Sequence, residues 1–161
     1  MLKEFEISDF HLLAQWVTSS ELLFRFGGTT FHFPLTVTQI EEYLTKNSDR
    51  KFYLGYLDNG TPYAFGEIIP QNEFSVRLGR LLIGNPLERG NGLGGKFIHA
   101  LLKEAKSHFK VNSVDLFVIR SNTAAIRCYH KVGFNFTNDA PFILSYEGID
   151  HFVLKMNILI S

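Results

Sequence analysis

The sequence lacks the features that mark several large classes of protein. It has one cysteine, Cys128, which excludes an internal disulfide and favours a reducing compartment. Its 16 basic and 16 acidic side chains give no net charge, so no overall field attracts nucleic acid or an anionic membrane surface. No apolar run approaches the roughly 20 residues of a membrane span, and no secretory leader opens the chain. We therefore expect a cytoplasmic protein that binds neither nucleic acid nor membrane.

Internal repeats, low-complexity tracts and linker-like stretches are also missing. A chain of 161 residues is close to the usual size of one domain, so we predict a single domain over residues 1–161. The six histidines show none of the paired spacings of a zinc site, and no metal is predicted.

The N-terminal third is predicted to be helical after one edge strand at residues 2–7. The pair Ser8-Asp9 can cap a first helix, and residues 21–35 indicate a second helix that breaks into a loop. Thr38 followed by Glu41 is a capping-box pattern, which predicts the start of a third helix.

The middle of the chain has the pattern of an antiparallel meander. Strand-like runs at residues 51–57 and 62–69 flank Asp58-Asn59-Gly60, a strong hairpin signal, and a third run spans residues 74–83. Further elements are predicted as a helix over 92–109, a strand over 114–119, a helix over 122–132, a short strand over 134–136 and a last strand at about 151–156. This order indicates an α/β (α+β) fold.

A glycine-rich loop joins the meander to the next helix, with four glycines among residues 90–95. Glycine adopts positive φ angles and lets backbone N–H groups approach an anion closely. The helix that follows directs its free N–H groups and the positive end of its dipole toward the loop, and Arg89 adds a charge. The segment therefore predicts a phosphate or pyrophosphate site for a nucleotide-like cofactor.

Gly90, Gly92 and Gly95 also fit the G-x-G-x-x-G spacing of a dinucleotide-binding fold. Such a fold places the loop in its first strand-helix unit and continues with further parallel strands. Here the loop follows a meander and few residues remain after it, so this alternative, an oxidoreductase, is disfavoured. A glycine-rich turn without a ligand is the other alternative.

Two segments resemble the motifs of one family. Residues 89–94, Arg-Gly-Asn-Gly-Leu-Gly, resemble the R/Q-x-x-G-x-G/A loop of the GNAT superfamily of acyl-CoA-dependent N-acyltransferases. Residues 122–134 resemble its N-x-x-A-I-x-x-Y-x-K-x-G-F segment at the expected distance. The resemblance implies a GNAT-like, mostly antiparallel central sheet with a splayed fourth and fifth strand pair and helices on both faces.

The resemblance also implies the cofactor, acetyl-CoA, and where it lies. The pyrophosphate would rest on the backbone N–H groups of the loop, and the pantetheine arm would run along the preceding strand. The loop positions are Arg89, Gly90, Asn91, Gly92, Leu93, Gly94 and Gly95. The strand positions are Leu82, Ile83 and Gly84, although the family more often has valine or another apolar residue where Gly84 stands.

Asn122 and Tyr129 are seven residues apart, two helical turns along one face, so both can point into one cleft. The resemblance implies that the Tyr129 hydroxyl protonates the departing CoA thiolate, which is reasonable chemistry for a phenol beside a thiolate. Asn122 can bind the cofactor or simply cap the helix, and Tyr129 can instead be a core aromatic.

Acyl transfer to an amine needs a neutral amine, and therefore a base or a water chain that leads to one. Glu67, in the second strand of the meander, is the candidate base and Glu73 is the reserve. The alternative for Glu67 is a solvent-facing residue or an ion-pair partner of Arg77 or Arg80. Cys128 adjoins Tyr129, but no histidine is placed to activate it, which favours a core thiol.

The sequence thus predicts an N-acetyltransferase that moves an acetyl group from acetyl-CoA to a primary amine by direct attack in a ternary complex. A non-catalytic acyl-CoA-binding or regulatory module of the same fold is the alternative. The acceptor is predicted to be a small-molecule or peptide amine. A homodimer is left open, because the apolar residues 156–160 can pack in the sheet or against another subunit.

Overall fold

The computed structural model describes residues 1–85 and 90–161. Its strands are β1 (Leu2–Glu4), β2 (Lys51–Tyr56), β3 (Pro62–Asn72), β4 (Ser75–Ile83), β5 (Ser113–Ile119), β6 (Asn135–Phe136), β7 (Phe142–Tyr146) and β8 (Ile149–Leu159). Its helices are α1 (Phe10–Trp16), α2 (Ser20–Gly27), α3 (Val37–Lys46), α4 (Leu93–Glu104) and α5 (Thr123–Val132). No helix in the described ranges is long and apolar enough to cross a membrane.

One sheet carries the strands in the order β1-β2-β3-β4-β5-β8-β6, with β7 also paired to β8. Every pairing is antiparallel except β4 with β5, which is parallel. That parallel ladder joins only Ser75–Leu78 to Ser113–Leu116, although both strands continue beyond it. The two strands therefore separate toward their C-terminal ends, and the predicted fold class, with its splayed fourth and fifth strands, is confirmed.

Two hydrophobic cores lie on opposite faces of the sheet. One packs α4 against β3, β4 and β5, with Phe97, Leu101, Ile68, Leu78 and Leu116 almost fully buried. The other packs α1, α2 and α3 against β2 and β3 and includes Trp16, Leu23, Phe26, Ile40 and Phe65. Helices thus cover both faces, and several of the many phenylalanines are core residues.

The start of α3 differs from the prediction. The N-cap is Thr36, whose hydroxyl accepts a hydrogen bond from the Gln39 N–H at 3.3 Å, rather than Thr38. The capping pattern occurs twice, since Thr36 with Gln39 matches it as well as Thr38 with Glu41. The Gln39 side chain also bonds the backbone of His32, which anchors the preceding loop and favours the earlier start.

The C-terminal hairpin was only partly predicted. The segment before β8 is not a loop, because β7 occupies Phe142–Tyr146 and pairs with β8 through a turn at Glu147 and Gly148, both with positive φ. Strand β8 is also longer than residues 151–156, since it pairs with the whole of β5 on one side and with β6 and β7 on the other. Weak alternation in β7, where Phe142 and Ile143 are both exposed, hid the strand from sequence reasoning.

Candidate active site

A cleft of about 930 Å³ opens where β4 and β5 separate. It lies between the end of β4, the glycine loop with the start of α4, and α5. Its charged lining residues within the described ranges are basic, namely Arg25, Lys96, Arg127 and Lys131. A large cleft with a basic, partly apolar wall suits an elongated ligand that carries phosphates.

The glycine loop has the backbone conformation that its sequence indicates. Gly90 and Gly92 have φ of 87° and 78°, and a Cβ at either position would meet no atom within 4 Å. The glycines are therefore needed for the left-handed backbone, not for lack of space. Gly92 is the N-cap of α4 and provides no side-chain cap, and the first-turn residues Gly94, Gly95 and Lys96 line the cleft at the positive end of the helix dipole.

The predicted loop residues fall into three groups. Gly90, Gly92, Gly94 and Gly95 line the cleft. Asn91 lies in the turn between Gly90 and Gly92, and Leu93 is the first residue of α4. Arg89 lies outside the described residues.

The predicted pantetheine strand borders the cleft through Leu82 and Ile83. Gly84 does not line the cleft, and its N–H donates a hydrogen bond to the Tyr63 carbonyl at 2.7 Å. A Cβ at Gly84 would lie 2.2 Å from two ring atoms of Trp16. Packing of the Trp16 indole therefore requires glycine at this position.

Tyr129 of α5 lines both this cleft and a second, smaller cavity. Its ring is held by Phe134, with the ring centroids 6.2 Å apart. Burial of the hydroxyl raises the pKa of Tyr129 well above its usual value of 10, and the neighbouring Cys128 adds to the effect. The phenol is therefore protonated throughout the neutral range, which is the state that a proton donor requires.

Asn122 also lines both cavities and is at the same time the N-cap of α5. Its side-chain oxygen accepts a hydrogen bond from the Ala125 N–H at 3.3 Å. The two sequence interpretations of Asn122 are therefore compatible, because the amide group caps the helix at the mouth of the cleft.

The smaller cavity, of about 310 Å³, lies on the other side of Tyr129. Its walls come from α2 and the loop after it, from β4 and β5, and from the β7–β8 hairpin. The lining is mixed, with the apolar residues Phe117, Phe142 and Leu144 beside the polar residues Thr30 and Arg80. A cavity that meets the large cleft at Tyr129 is suited to the second reactant of a two-substrate reaction.

The candidate base Glu67 is fully buried, at 0% exposure, and lies behind the cavity wall rather than on it. The Tyr43 hydroxyl donates to its carboxylate at 2.7 Å, and guanidinium groups of Arg80 and Arg50 lie 3.0 and 3.3 Å from it. The Arg80 pairing anticipated from the sequence is present, whereas Arg77 pairs with Asp115. Glu67 as general base stays a prediction.

The reserve base and the thiol occupy less reactive positions. Glu73 is exposed in the turn between β3 and β4 and lines neither cavity. Cys128 lines the large cleft, and burial raises the pKa of its thiol, with Lys131 acting weakly in the opposite direction. A protonated thiol is a poor nucleophile, but Cys128 is half-buried on the cleft wall rather than the core thiol that the sequence favours.

The site also contains a β-bulge that sequence reasoning missed. Glu67 pairs with Gly79 and Phe65 with Leu82, so two residues of β4, Arg80 and Leu81, stand opposite Gly66 alone. Arg80 has φ of 47°, an unusual value for a residue with a Cβ. The only signal in the sequence was Gly79 in the middle of a strand, since glycine there often marks a bulge.

The fold and the cleft define a class of protein: one that holds a phosphate-bearing cofactor between separated strands and a glycine-rich helix start. Residues 15–134 match the family model described as Acetyltransferase (GNAT) family. The chain belongs to this family, and the family predicted from the two motifs is confirmed. The dinucleotide-binding alternative has no support from the sheet order, in which most strands are antiparallel.

Two relatives illustrate the sequence similarity. The chain is 33% identical over 100 residues to UPF0039 protein C11D3.02c of Schizosaccharomyces pombe, a match that covers 62% of this chain and 63% of that protein. It is 27% identical over 139 residues to an aminoglycoside N(6')-acetyltransferase type 1 of Klebsiella pneumoniae, covering 78% of this chain and 69% of the relative. The chain thus spans less than two thirds of the length of the first relative.

A solved structure illustrates the similarity in fold. The spermidine N-acetyltransferase of Vibrio cholerae, in complex with CoA and spermine, superposes with a TM-score of 0.82 at 17% identity. The superposition covers 99% of this chain and 94% of the other. At this identity the likeness establishes the common fold.

Proposed function

We propose that this protein is an N-acetyltransferase that transfers the acetyl group of acetyl-CoA to a primary amine by direct attack in a ternary complex. The observation that carries the proposal is that two cavities meet at Tyr129 and Asn122, one bordered by the glycine loop and the other by a mixture of polar and aromatic side chains. Family membership supports the same reaction.

The described residues fit the cofactor. The first-turn N–H groups of α4 with Gly90 and Gly92 would bind the pyrophosphate, and the basic side chains of Lys96, Arg127 and Lys131 add positive charge along the cleft. Leu82 and Ile83 border the path of the pantetheine arm. Acetyl-CoA itself supplies the activated thioester.

In the reaction, the amine nitrogen forms a bond to the thioester carbon while the bond from that carbon to sulfur breaks. The leaving thiolate takes a proton from the Tyr129 hydroxyl, and the proton lost by the amine restores the phenol through water or a base. The raised pKa keeps the Tyr129 hydroxyl protonated at neutral pH, so it is available to donate a hydrogen bond and then the proton to the leaving thiolate, and the proton lost by the amine offsets this transfer. Glu67 is retained as the predicted base, reached through water because its carboxylate lies behind the cavity wall.

The test is a thiol-release assay with acetyl-CoA and a panel of amines: amino acids, amino-acid amides, spermidine, an aminoglycoside and a peptide with a free N-terminus. We expect stoichiometric formation of CoA thiol and acetylated amine with at least one class. Tight acetyl-CoA binding without turnover on any amine would instead make the chain a non-catalytic acyl-CoA-binding module.

Replacing Cys128 with alanine tests whether the acetyl group passes directly to the amine. Direct transfer predicts that kcat stays within about twofold of the parent value, because no covalent intermediate forms on the thiol. Initial rates at varied amine and acetyl-CoA should give intersecting reciprocal plots in both proteins. A loss of activity in Cys128→Ala with an unchanged melting temperature, or a parallel-line pattern, would contradict direct transfer.

Two further predictions concern the surroundings of the protein. We propose a cytoplasmic location on the sequence grounds given above. A homodimer also stays a proposal, and sedimentation equilibrium of the purified chain tests it.

A further inference from the structure

The charge of the smaller cavity is unlike that expected for a polyamine or aminoglycoside site. Within the described residues its lining includes the arginines Arg25, Arg77 and Arg80 and no carboxylate. A polycationic acceptor requires carboxylates, because like charges in a confined site repel. The cavity therefore favours an acceptor that brings negative charge.

The β-bulge is what places two of these arginines on the same wall. Side chains of a regular strand alternate between faces, so residues three apart, such as Arg77 and Arg80, would point to opposite sides of the sheet. The extra residue in β4 shifts the alternation by one, and Arg80 turns toward Glu67, on the sheet face opposite α4. Both guanidinium groups thereby reach the smaller cavity.

The ion-pair cluster of Arg50, Arg80 and Glu67, at the wall of the smaller cavity, has more positive than negative charge. The guanidiniums of Arg80 and Arg50 share the single carboxylate of Glu67. The Nη2 group of Arg80 donates to the Thr30 hydroxyl at 2.8 Å, and its buried Nε–H has no partner among the described residues. Arg80 thus presents a fixed guanidinium whose charge is only partly neutralised.

Arg77 is also held in place. Its Nε and Nη2 groups bond the two carboxylate oxygens of Asp115 at 2.5 and 3.3 Å, and its guanidinium lies 4.2 Å from the centre of the Phe117 ring. Asp115 therefore neutralises most of the charge of Arg77, and Arg80 is the main source of the excess positive charge. Guanidinium groups bind carboxylates through paired hydrogen bonds, so a positioned Arg80 suits an acid group.

We propose that the acceptor is a small amine that also bears an anionic group, a carboxylate in the simplest case, together with an apolar side chain. The proposal rests on the proposed function and specifies its substrate class. The anionic group would bind at Arg80 and Thr30, and the apolar side chain would pack against Phe117, Phe142 and Leu144. Arg80 is then a specificity-determining residue.

The first experiment compares L-leucine, L-leucinamide and spermidine as acceptors in the thiol-release assay. We expect kcat/KM for leucine to exceed that for leucinamide by about tenfold or more, as a charged hydrogen bond predicts. The amide has the more readily deprotonated amine, so intrinsic reactivity works against this result. 4-Methylpentanoate, which keeps the carboxylate and lacks the amine, should inhibit competitively with leucine.

Variants assign the preference to the arginines. Arg80→Met should abolish the leucine-to-leucinamide ratio, whereas Arg50→Met is the matched control. Arg50 also pairs with Glu67 and has similar side-chain exposure, 23% against 20%, but it does not line the cavity in the described structure. Its substitution should lower stability and reduce the ratio much less than Arg80→Met does, because the Arg80 guanidinium stays in the cavity. If Arg80→Met does not fold, Arg77→Gln is the second variant, and it should reduce the ratio because it removes a positive charge from the cavity wall. It should fold because Lys155, 3.8 Å from Asp115, remains as a partner for that carboxylate.

The outcomes separate the two proposals. Faster acetylation of leucinamide or spermidine than of leucine overturns the anionic acceptor and leaves the N-acetyltransferase standing. If Arg50→Met and Arg80→Met lower the leucine-to-leucinamide ratio of kcat/KM equally, the anionic acceptor is also overturned, because the effect would then come from the buried ion-pair cluster and not from Arg80 in the cavity. Absence of thiol release with every amine of the panel overturns both.

Discussion

Replacing Tyr129 with phenylalanine should lower kcat by about 10² to 10⁴-fold, the usual contribution of a positioned proton donor. The substitution removes only the hydroxyl, and the ring keeps its packing against Phe134. We therefore expect little change in the melting temperature or in the dissociation constant of acetyl-CoA. Steady-state thiol release, calorimetric titration and thermal denaturation measure the three quantities.

The pH profile of the parent enzyme provides the control for this assignment. Because burial raises the pKa of Tyr129, the phenol stays protonated and its ionisation should cause no fall in kcat up to about pH 10. The rising limb at lower pH should follow deprotonation of the amine. A kcat for Tyr129→Phe within threefold of the parent value would show that another group, or water, protonates the thiolate.

Replacing Glu67 with alanine should lower the free energy of unfolding by about 3 to 5 kcal/mol, because it leaves the Arg50 and Arg80 guanidiniums partly buried without their counter-charge. The Tyr43 hydroxyl would lose its acceptor as well. Equilibrium unfolding in urea measures the difference. A loss below about 1 kcal/mol would contradict the structural importance of this carboxylate, since surface ion pairs have effects of that size.

Glu67→Gln separates stability from catalysis. The amide keeps the shape and one acceptor oxygen, so more of the protein should remain folded than with alanine. If Glu67 is the general base, the folded Gln variant loses kcat with leucine and with leucinamide alike. If its role is to hold Arg80, the leucine-to-leucinamide ratio of kcat/KM changes while kcat with leucinamide stays near the parent value.

Much of the fold was predictable because its signals are local. The Asn59-Gly60 turn predicted the β2–β3 hairpin, which the structure contains. The apolar spacing of α4 predicted its buried face, with Phe97 and Leu101 in the core. The glycine loop and the Asn122 to Phe134 segment gave the family, because both the residue types and the distance between the segments are characteristic.

The rest depended on contacts between distant residues. Strand β7 has little alternation, and its pairing with β8 stabilises it instead. The start of α3 depended on the hydrogen bonds that Gln39 makes to the His32 backbone. The bulge at Arg80 is set by the register between β3 and β4. Neither the burial of Glu67 nor the position of Arg77 and Arg80 on one wall of the smaller cavity could therefore be deduced from the sequence.

Hydrogen exchange with and without acetyl-CoA tests the central claim, that the backbone of residues 90–96 binds the cofactor pyrophosphate. We expect saturating acetyl-CoA to slow exchange of these amides by about tenfold or more. S-acetylpantetheine, which has the thioester but no pyrophosphate, should leave them nearly unchanged while protecting the end of β4. Exchange in residues 90–96 that is the same with and without saturating acetyl-CoA would contradict the claim.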